Sequence, residues 1–565
     1  MLPTCLISEL KIYKPGITAR ELADKLSCST LTAGVLEMLK GNETLDSLKD
    51  WLNPDFLAQM RNMNLGASSA IARELWNSKS SFGNVLVYGD YDTDGVCSTV
   101  LAMEIFRTKA AQVRYFIPRR DAHGYGLNAE ILEKIAVSGC NTLVVVDCGT
   151  NDSEMLEKLR SKGIDIFVFD HHSVSAPITI PAVVNPCTVK NPDSSNDENY
   201  SHKICATAVL WCWAWKENVI SRNWLKYAID LVALATIADC MPLHNLNRSL
   251  VRYGMDLMRN NPRRGLSALF DCLGINRLQL TEEHLSMRVI PCLNAPGRIS
   301  TADISVRALL GVGNNDAVYS CVNDLMRTNR KRQSLTESIT KDIDTGIMTG
   351  EITQKVLFNE GWPIGVLSGV ASRICAQYRI PIVLAAPVAN RAVRGTLRVP
   401  EGGNAVGILG SISDKLDAWG GHKYAAGFSV LHDNWFEVSR ELEKLLSEIE
   451  IVPGELTPVM SIKPSEFSIS DWKSISALGP FGNDNPAPKF YTENNISISE
   501  INPLGKDNKH SFIKMNNSKL LAFGISVPDV IREITKIKGW VYHPRLDYWH
   551  NEEQLQFILD YAVTE

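Results

Sequence analysis

Three aspartates at alternate positions, Asp90, Asp92 and Asp94 in Gly-Asp-Tyr-Asp-Thr-Asp-Gly, offer this chain its clearest capacity for chemistry. Two carboxylates ~5 Å apart repel by ~3 kcal/mol at an effective dielectric of ~20, and a third adds to that. Such a cluster either splays into water or gathers around a cation. A calcium loop of this pattern wants a ligating Glu six residues after the glycine; the chain has Leu101 there, and Glu104 comes too late. Three other acidic sites join it. Asp147 follows the run Leu143 to Val146, Asp170-His171-His172 follows Ile166 to Phe169, and Asp239 closes the apolar stretch from Ala235. Each has a bland explanation when taken singly: a solvated turn, a helix-terminal acid bonded to backbone, or two surface histidines. An unpaired carboxylate buried beside Ala235–Ala238 would be costly, however. Oxygen and imidazole donors suit Mn²⁺ or Mg²⁺, whereas a structural zinc site favours cysteine. Two such ions ~3.5–4 Å apart can activate a water and stabilise both oxygens of a phosphoryl displacement.

The elements that must position these groups follow one grammar. Val85 to Tyr88, Leu143 to Val146, Ile166 to Phe169 and Val183-Val184 are short, unbroken apolar runs, each followed at once by polar residues. Runs without alternation predict central strands of a parallel sheet covered on both faces. Helical stretches from Ser98 to Phe106, Asn128 to Val137 and Ser153 to Lys162 lie between them, so the spacing predicts a doubly wound α/β domain. Ligands of such sheets sit beyond the carboxyl ends of the strands, which is where these acids fall.

Further along, residues 192–200 read as a polar loop, and a helix is expected from about Trp224 to Asp239, with Pro242 as its stop. Residues 250–340 read as mostly helical. A second α/β pattern follows, with an apolar run at Ile364 to Leu367, a helix from Val370 to Tyr378 and another run at Ile382 to Ala385. Beyond Leu456, short strand-like pieces separated by Asn, Gly and Pro predict a small all-β domain. The expected division is therefore a helical extension over 1–75, a catalytic domain over 76–250, a helical connector over 251–345, a second α/β lobe over 346–455 and a β domain over 456–565.

Composition excludes little. Apolar residues make up 45% and charged residues 21% of 565, ordinary for a globular protein of several domains. No apolar run reaches the ~20 residues that span a bilayer, and the N-terminus has no long apolar segment of a secretory signal. The thirteen cysteines are odd in number and form no CxxC pair, so reduced thiols in a cytoplasm are expected. A net charge of −5 does not advertise nucleic acid, but clustered acids can hide basic grooves elsewhere.

Several words, taken together, make the chain resemble the RecJ branch of the DHH phosphoesterase superfamily. "DYDTDG", "VVVDCGT", "DHH" and "ATIADCMPL" follow in the order and spacing of the DHH motifs. "YFIPRR…HGYGL" (Tyr115 to Leu127) and "LNAPGRI" (Leu293 to Ile299) resemble segments of RecJ proteins. "GWPIGVLSGVASRI" (Gly361 to Ile374) and "GGHKYAAGF" (Gly420 to Phe428) resemble the accessory DHHA1 domain, and "WLNPDF" and "LQFILDYA" extend the likeness to both ends. The resemblance implies a two-lobed DHH and DHHA1 fold with a C-terminal OB-like domain. It implies a two-ion Mn²⁺ or Mg²⁺ centre built from Asp90, Asp92, Asp94, Asp147, His171 and Asp239, with Asp147 bridging. Asp170 would orient the imidazole of His171, and His172 would face the scissile phosphate. Arg298, Ser372, Arg373, His422, Gly420 and Gly421 would hold the substrate phosphate, arginine by its fork and the glycines by close backbone approach. The chain departs from the family pattern at Thr93 (commonly Ala), at Pro296 in place of a small residue, at Pro363 where His is frequent, and in the loose word Arg394 to Arg398.

What the resemblance implies is a 5′-to-3′ exonuclease hydrolysing single-stranded DNA to mononucleotides. Repair, recombination and replication are its expected settings, in a monomer that works with single-strand-binding protein or a helicase and no membrane. Tyr115, Arg119, Arg120 and Tyr125 would add aromatic and cationic strand contacts, against the plainer reading of the aromatics as core. Two other functions compete. One is a DHH phosphoesterase for pyrophosphate, cyclic dinucleotides or short RNA, against which the length and the domain after the GGH word argue. The other is a RecJ-like scaffold without catalysis, against which the complete set of acids and histidines argues.

Overall fold

The computed structural model describes residues 2–41, 43–119, 126–189, 203–388, 391–449, 457–505, 508–549 and 552–565. The chain forms two compact units, Met1–Pro54 with Val452–Glu565, and Asp55–Ile451.

In the larger unit, five parallel strands form the first sheet. Across it run Gln112–Phe116, Asn84–Tyr88, Thr142–Val146, Asp165–Phe169 and Val183–Val184. The strands alternate between two apolar faces. Val85, Val87, Val144, Val146, Phe167 and Phe169 enter one core, while Tyr88, Leu143, Val145, Ile166 and Val168 enter another. Covering both faces is what removes the polar half of the usual strand pattern. The sheet order reverses direction between Asn84–Tyr88 and Thr142–Val146, and the crevice at such a point is the ligand site of open α/β sheets. Gln112–Phe116 was not anticipated as a strand. It lies at the sheet edge with no fully buried residue, so its apolar signal is weak.

The helix Thr93–Phe106 is buried almost all round and starts directly behind the strand Asn84–Tyr88. Asp92 caps it, its Oδ1 accepting from Gly95 N at 3.0 Å. Gly95 is required here, since a Cβ would fall 2.5 Å from the Asp90 carbonyl oxygen. The helix expected from Trp224 to Asp239 is two helices, Arg222–Tyr227 and Ile229–Ala238, with Asp239 capping the second. Their boundary falls at Ala228, which no breaker residue announces. Most of the residues between Asn245 and Thr349 are helical, ending in the 35-residue helix Asn315–Thr349.

The second lobe corrects one expectation. Ile364 to Leu367 is no strand but the first turn of the helix Ile364–Tyr378, and the strand is Val356–Phe358. A four-residue apolar run cannot distinguish a buried helix turn from a strand. The sheet runs Ala418–His422, Ala425–Leu431, Ala392–Arg398, Ile382–Val388 and Val356–Phe358; only the last pair is parallel. The helix Ile364–Tyr378 packs on one face through Val370 and Ile374, against Ile382 and Leu384.

The smaller unit is built around a nine-stranded sheet. The N-terminal stretch is helical from Ile17 but begins with the strands Thr4–Leu6 and Leu10–Tyr13. These pair in parallel with Glu552–Thr564 and Thr457–Ser461, so the β domain draws on both chain ends. The expectation of a separate helical extension over 1–75 is thus replaced by a split domain. Among the described residues no helix is long and apolar enough to cross a membrane.

Candidate active site

Each acid at the sheet rim is placed by the element that ends there. Asp147 directly follows the strand Thr142–Val146 and adopts φ +61°, and Gly149 behind it adopts +99°. A left-handed non-glycine residue costs roughly 1–3 kcal/mol and marks a position the surroundings over-determine. Asp147 is 2% exposed.

His171 gathers these acids. Its Nε2 lies 3.3 Å from Asp147 Oδ1, 3.5 Å from Asp239 Oδ2 and 3.9 Å from Asp94 Oδ2. Three overlapping groups bring donor atoms within 4.8 Å of one another: Asp90, Asp92 and Asp147; Asp94, His171 and Asp239; and Asp147, His171 and His172. All six expected ligands therefore converge. Asp94 carries a second duty. Its carboxylate accepts from Ala206 N (2.7 Å), Thr207 N (2.9 Å) and Thr207 Oγ1 (2.6 Å), capping the helix Ala206–Lys216 from outside its own segment.

The electrostatics fit divalent cations. Burial, then the charge of Asp94, raises Asp92 and raises Asp147 well above the ordinary carboxylate range. The same causes push Asp239 up to about 8. These buried carboxylates repel one another more than the neighbouring histidines offset, and hard cations held by oxygen and imidazole would relieve that repulsion.

Asp170 differs from its expected role. His171 N and His172 N both donate to its Oδ1, at 2.8 and 3.2 Å, so the backbone wraps around this carboxylate. The wrap returns His172 Nδ1 to 2.7 Å from Asp170 Oδ1 and turns the His171 ring away toward Asp147. Asp170 thus orients His172, not the imidazole of His171. Burial disfavours the Asp170 carboxylate, but its bonds to His172 and to Thr150 N (3.0 Å) hold it well below the usual range. In return, although burial opposes it, the hydrogen bond to Asp170 pushes His172 up to about 9. Burial lowers His171. The two rings thus differ: burial disfavours a charge on His171, whereas Asp170 favours one on His172, whose side chain is 40% exposed. Asn185, fully buried and not singled out beforehand for this role, donates to Thr150 Oγ1 and to the His172 carbonyl, both at 2.9 Å.

A polar cleft of ≈ 220 Å³ lies where the second lobe meets the connector, lined by Arg298, Arg332, Ser368, Ser372 and Arg398 among others. Arg298 Nη1 donates to Ser368 Oγ (3.0 Å) and Gly365 O (3.3 Å), and Arg398 Nε donates to Ser372 Oγ (3.0 Å). Close helix approach makes this possible. A Cβ on Gly365 would sit 1.8 Å from the Arg298 carbonyl oxygen, and one on Gly297 2.2 Å from that of Tyr91. Thr93 Oγ1 adds a 2.9 Å bond to Asn294 Oδ1, tying the acidic loop to the helix that bears Arg298.

Arg298 and Ser372 are therefore brought together as expected, with Arg373 exposed beside them. Gly420, Gly421 and His422 do not line the cleft. They form the exposed edge strand, where the pairing Arg398–Ala425–His422 sets His422 two strands from Arg398. Arg332 was missed, because the run Arg330-Lys331-Arg332 in a long helix reads as a solvated face. Tyr115 is half-buried, packs against the core and donates its hydroxyl to Asp303. Arg119 is exposed, and Arg120 and Tyr125 lie outside the described residues, as does the polar loop 192–200.

Comparisons with known proteins bear on the domains that carry these residues. Residues 84–236 match the N-terminal domain of the DHH family, 350–450 the DHHA1 domain and 460–561 the RecJ OB domain. The single-stranded-DNA-specific exonuclease RecJ of Bacillus subtilis is 26% identical over 561 residues, spanning 97% of this chain and 70% of that one. The crystal structure of Thermus thermophilus RecJ with Mn²⁺ superposes with a TM-score of 0.78 at 23% identity, over 98% of this chain and 80% of that one. A manganese-bound exonuclease RecJ structure matches with a TM-score of 0.55 at 27% identity, over 69% of this chain and 97% of that one.

Proposed function

We propose, from the premise that this chain has the RecJ domain set of the DHH/DHHA1 superfamily, that it is a divalent-metal-dependent exonuclease specific for single-stranded DNA. It removes mononucleotides in the 5′-to-3′ direction. The observation that carries this reading is the convergence of His171 on Asp147 and Asp239, within 3.3 and 3.5 Å, at the reversal point of a parallel sheet.

Asp90, Asp92, Asp94, Asp147, His171 and Asp239 would hold two Mn²⁺ or Mg²⁺ ions, with Asp147 shared between them. Bound there, the cations supply an activated water and neutralise charge on the phosphodiester. His172, kept protonated by Asp170, faces the scissile phosphate and donates a hydrogen bond to its oxygens or a proton to the leaving 3′ oxygen. The arginine-lined cleft takes the terminal 5′-phosphate, with Arg298, Arg332 and Arg398 as donors and Ser372 and Arg373 beside them. His422 and the Gly420-Gly421 backbone, two strands away, contact the strand further along. The same reading assigns the enzyme to DNA repair, recombination or replication in the cytoplasm, as a monomer working beside single-strand-binding protein or a helicase.

The test is degradation of one oligonucleotide labelled at its 5′ or its 3′ end, in Mn²⁺, beside dinucleotides and pyrophosphate. A 5′ label should leave as mononucleotide at the earliest times, while a 3′ label shortens through a ladder. Turnover of dinucleotides or pyrophosphate alone would replace this reading with another DHH phosphoesterase, and no turnover with a scaffold.

A further inference from the structure

We infer that Asn329 is a positioning residue, which aims the Arg332 guanidinium into the phosphate cleft without neutralising it. This rests on the assignment of that cleft to a terminal phosphate.

Asn329 lies on the helix Asn315–Thr349 and is 6% exposed, an unusual place for an amide on a helix whose outer face is polar. Both ends of its side chain are engaged. Its Oδ1 accepts from Arg332 Nε at 3.1 Å, one turn on, and its Nδ2 donates to Cys292 Sγ at 3.1 Å. Cys292 is fully buried on the helix Ile290–Ile299, six residues before Arg298. Burial pushes its thiol up to about 11, so the sulfur stays neutral. The amide therefore links the two helices that deliver Arg332 and Arg298 to one cleft.

A neutral amide suits this place for an electrostatic reason. Burial and the nearby charge of Arg373 both disfavour the Arg332 cation. Three further arginines at or beside the cleft make its guanidinium prone to swing away into water. A carboxylate at position 329 would hold the fork, but would cancel the charge that an incoming phosphate needs. An amide oxygen binds Nε and leaves the terminal NH₂ groups charged for the ligand. Asparagine fixes direction and spares the charge.

The experiment compares KM and kcat of the full chain on matched single strands bearing a 5′-phosphate or a 5′-hydroxyl. The variants are Asn329→Asp, which keeps the volume, and Asn329→Ala. Wild-type protein should prefer the phosphorylated strand. In both variants that preference should fall about tenfold, through KM on the phosphorylated strand, with kcat and the hydroxyl strand little changed. Equal losses on both strands, tracking a fall in Tm, would mean that Asn329 only packs the helices and would overturn the inference, as would an unchanged preference. Should neither variant fold, Cys292→Val and Cys292→Ser carry the test. Valine should cut the preference two- to threefold and serine should keep it; no difference between them overturns the proposal. A wild-type enzyme indifferent to the 5′-phosphate would refute the cleft's assignment and this inference together, whereas preference retained in the variants refutes the inference alone.

Discussion

At the scale of single residues, the proposed site separates groups that would hold cations from groups that hold these groups. Asp147 belongs to the first kind. Asparagine tolerates its left-handed backbone and removes one charge from a repelling cluster. Asp147→Asn should thus lose at least a thousandfold in turnover while the Tm of the metal-free protein stays level or rises. Calorimetry beside a nuclease assay checks both, and a large fall in Tm would mean the carboxylate is structural. Asp170 belongs to the second kind, since its carboxylate holds His172 Nδ1 at 2.7 Å. Asp170→Asn should lower kcat by about 10²–10³ with metal affinity nearly retained, because proton delivery and charge stabilisation suffer first. Manganese titration of that variant, followed by calorimetry, separates this outcome from simple loss of the ions.

At the scale of elements, the same type of side chain does different work according to what it terminates. Asp94 sits in the acidic loop, yet its oxygens take two backbone N–H groups and a hydroxyl at the start of Ala206–Lys216. Losing a carboxylate cap that leaves buried donors unpaired costs on the order of 2–4 kcal/mol. Asp94→Ala should therefore lower both Tm and activity, in contrast to Asp147→Asn. Equal stability of the two variants would argue against the cap. The strand-to-helix boundaries were readable because burial on both faces imposes unbroken apolar runs, as at Thr142–Val146. The same rule misread Ile364 to Leu367, where a helix is buried in its first turn and gives an identical run. The edge strand Gln112–Phe116 was missed for the opposite reason, having too little buried side chain to leave a pattern.

At the scale of the whole molecule, charge and chain ends dominate. In metal-free protein Asp239 titrates near 8 against 3.8 when unfolded, and His172 near 9 against 6.5. Both folded values are raised, so their contribution is complete at low pH and is lost as pH climbs through the folded values. Protein stripped with EDTA should thus lose Tm steadily between about pH 4 and 9. Mn²⁺ should flatten that fall, so that its stabilising effect widens with pH; a gap that narrows would contradict the buried cluster. Deletion of residues 1–54 should unfold the smaller unit, since it removes two strands and leaves the edge of Thr457–Ser461 bare. Loss of protease resistance confined to residues 457–565 would report it.

Sequence by itself determined the donor types, their order, and their location at the ends of buried strands, because a parallel sheet covered on both faces writes continuous apolar runs and leaves its polar residues at the rim. It also determined the family resemblance that named Arg298 and Ser372. Only the tertiary structure decided which histidine Asp170 holds, that Asp94 caps a helix more than a hundred residues away, that Arg332 turns into the cleft, and that the N-terminus completes the β domain. Those are matters of distance between segments remote along the chain, and local periodicity carries no record of which remote segment a side chain will meet.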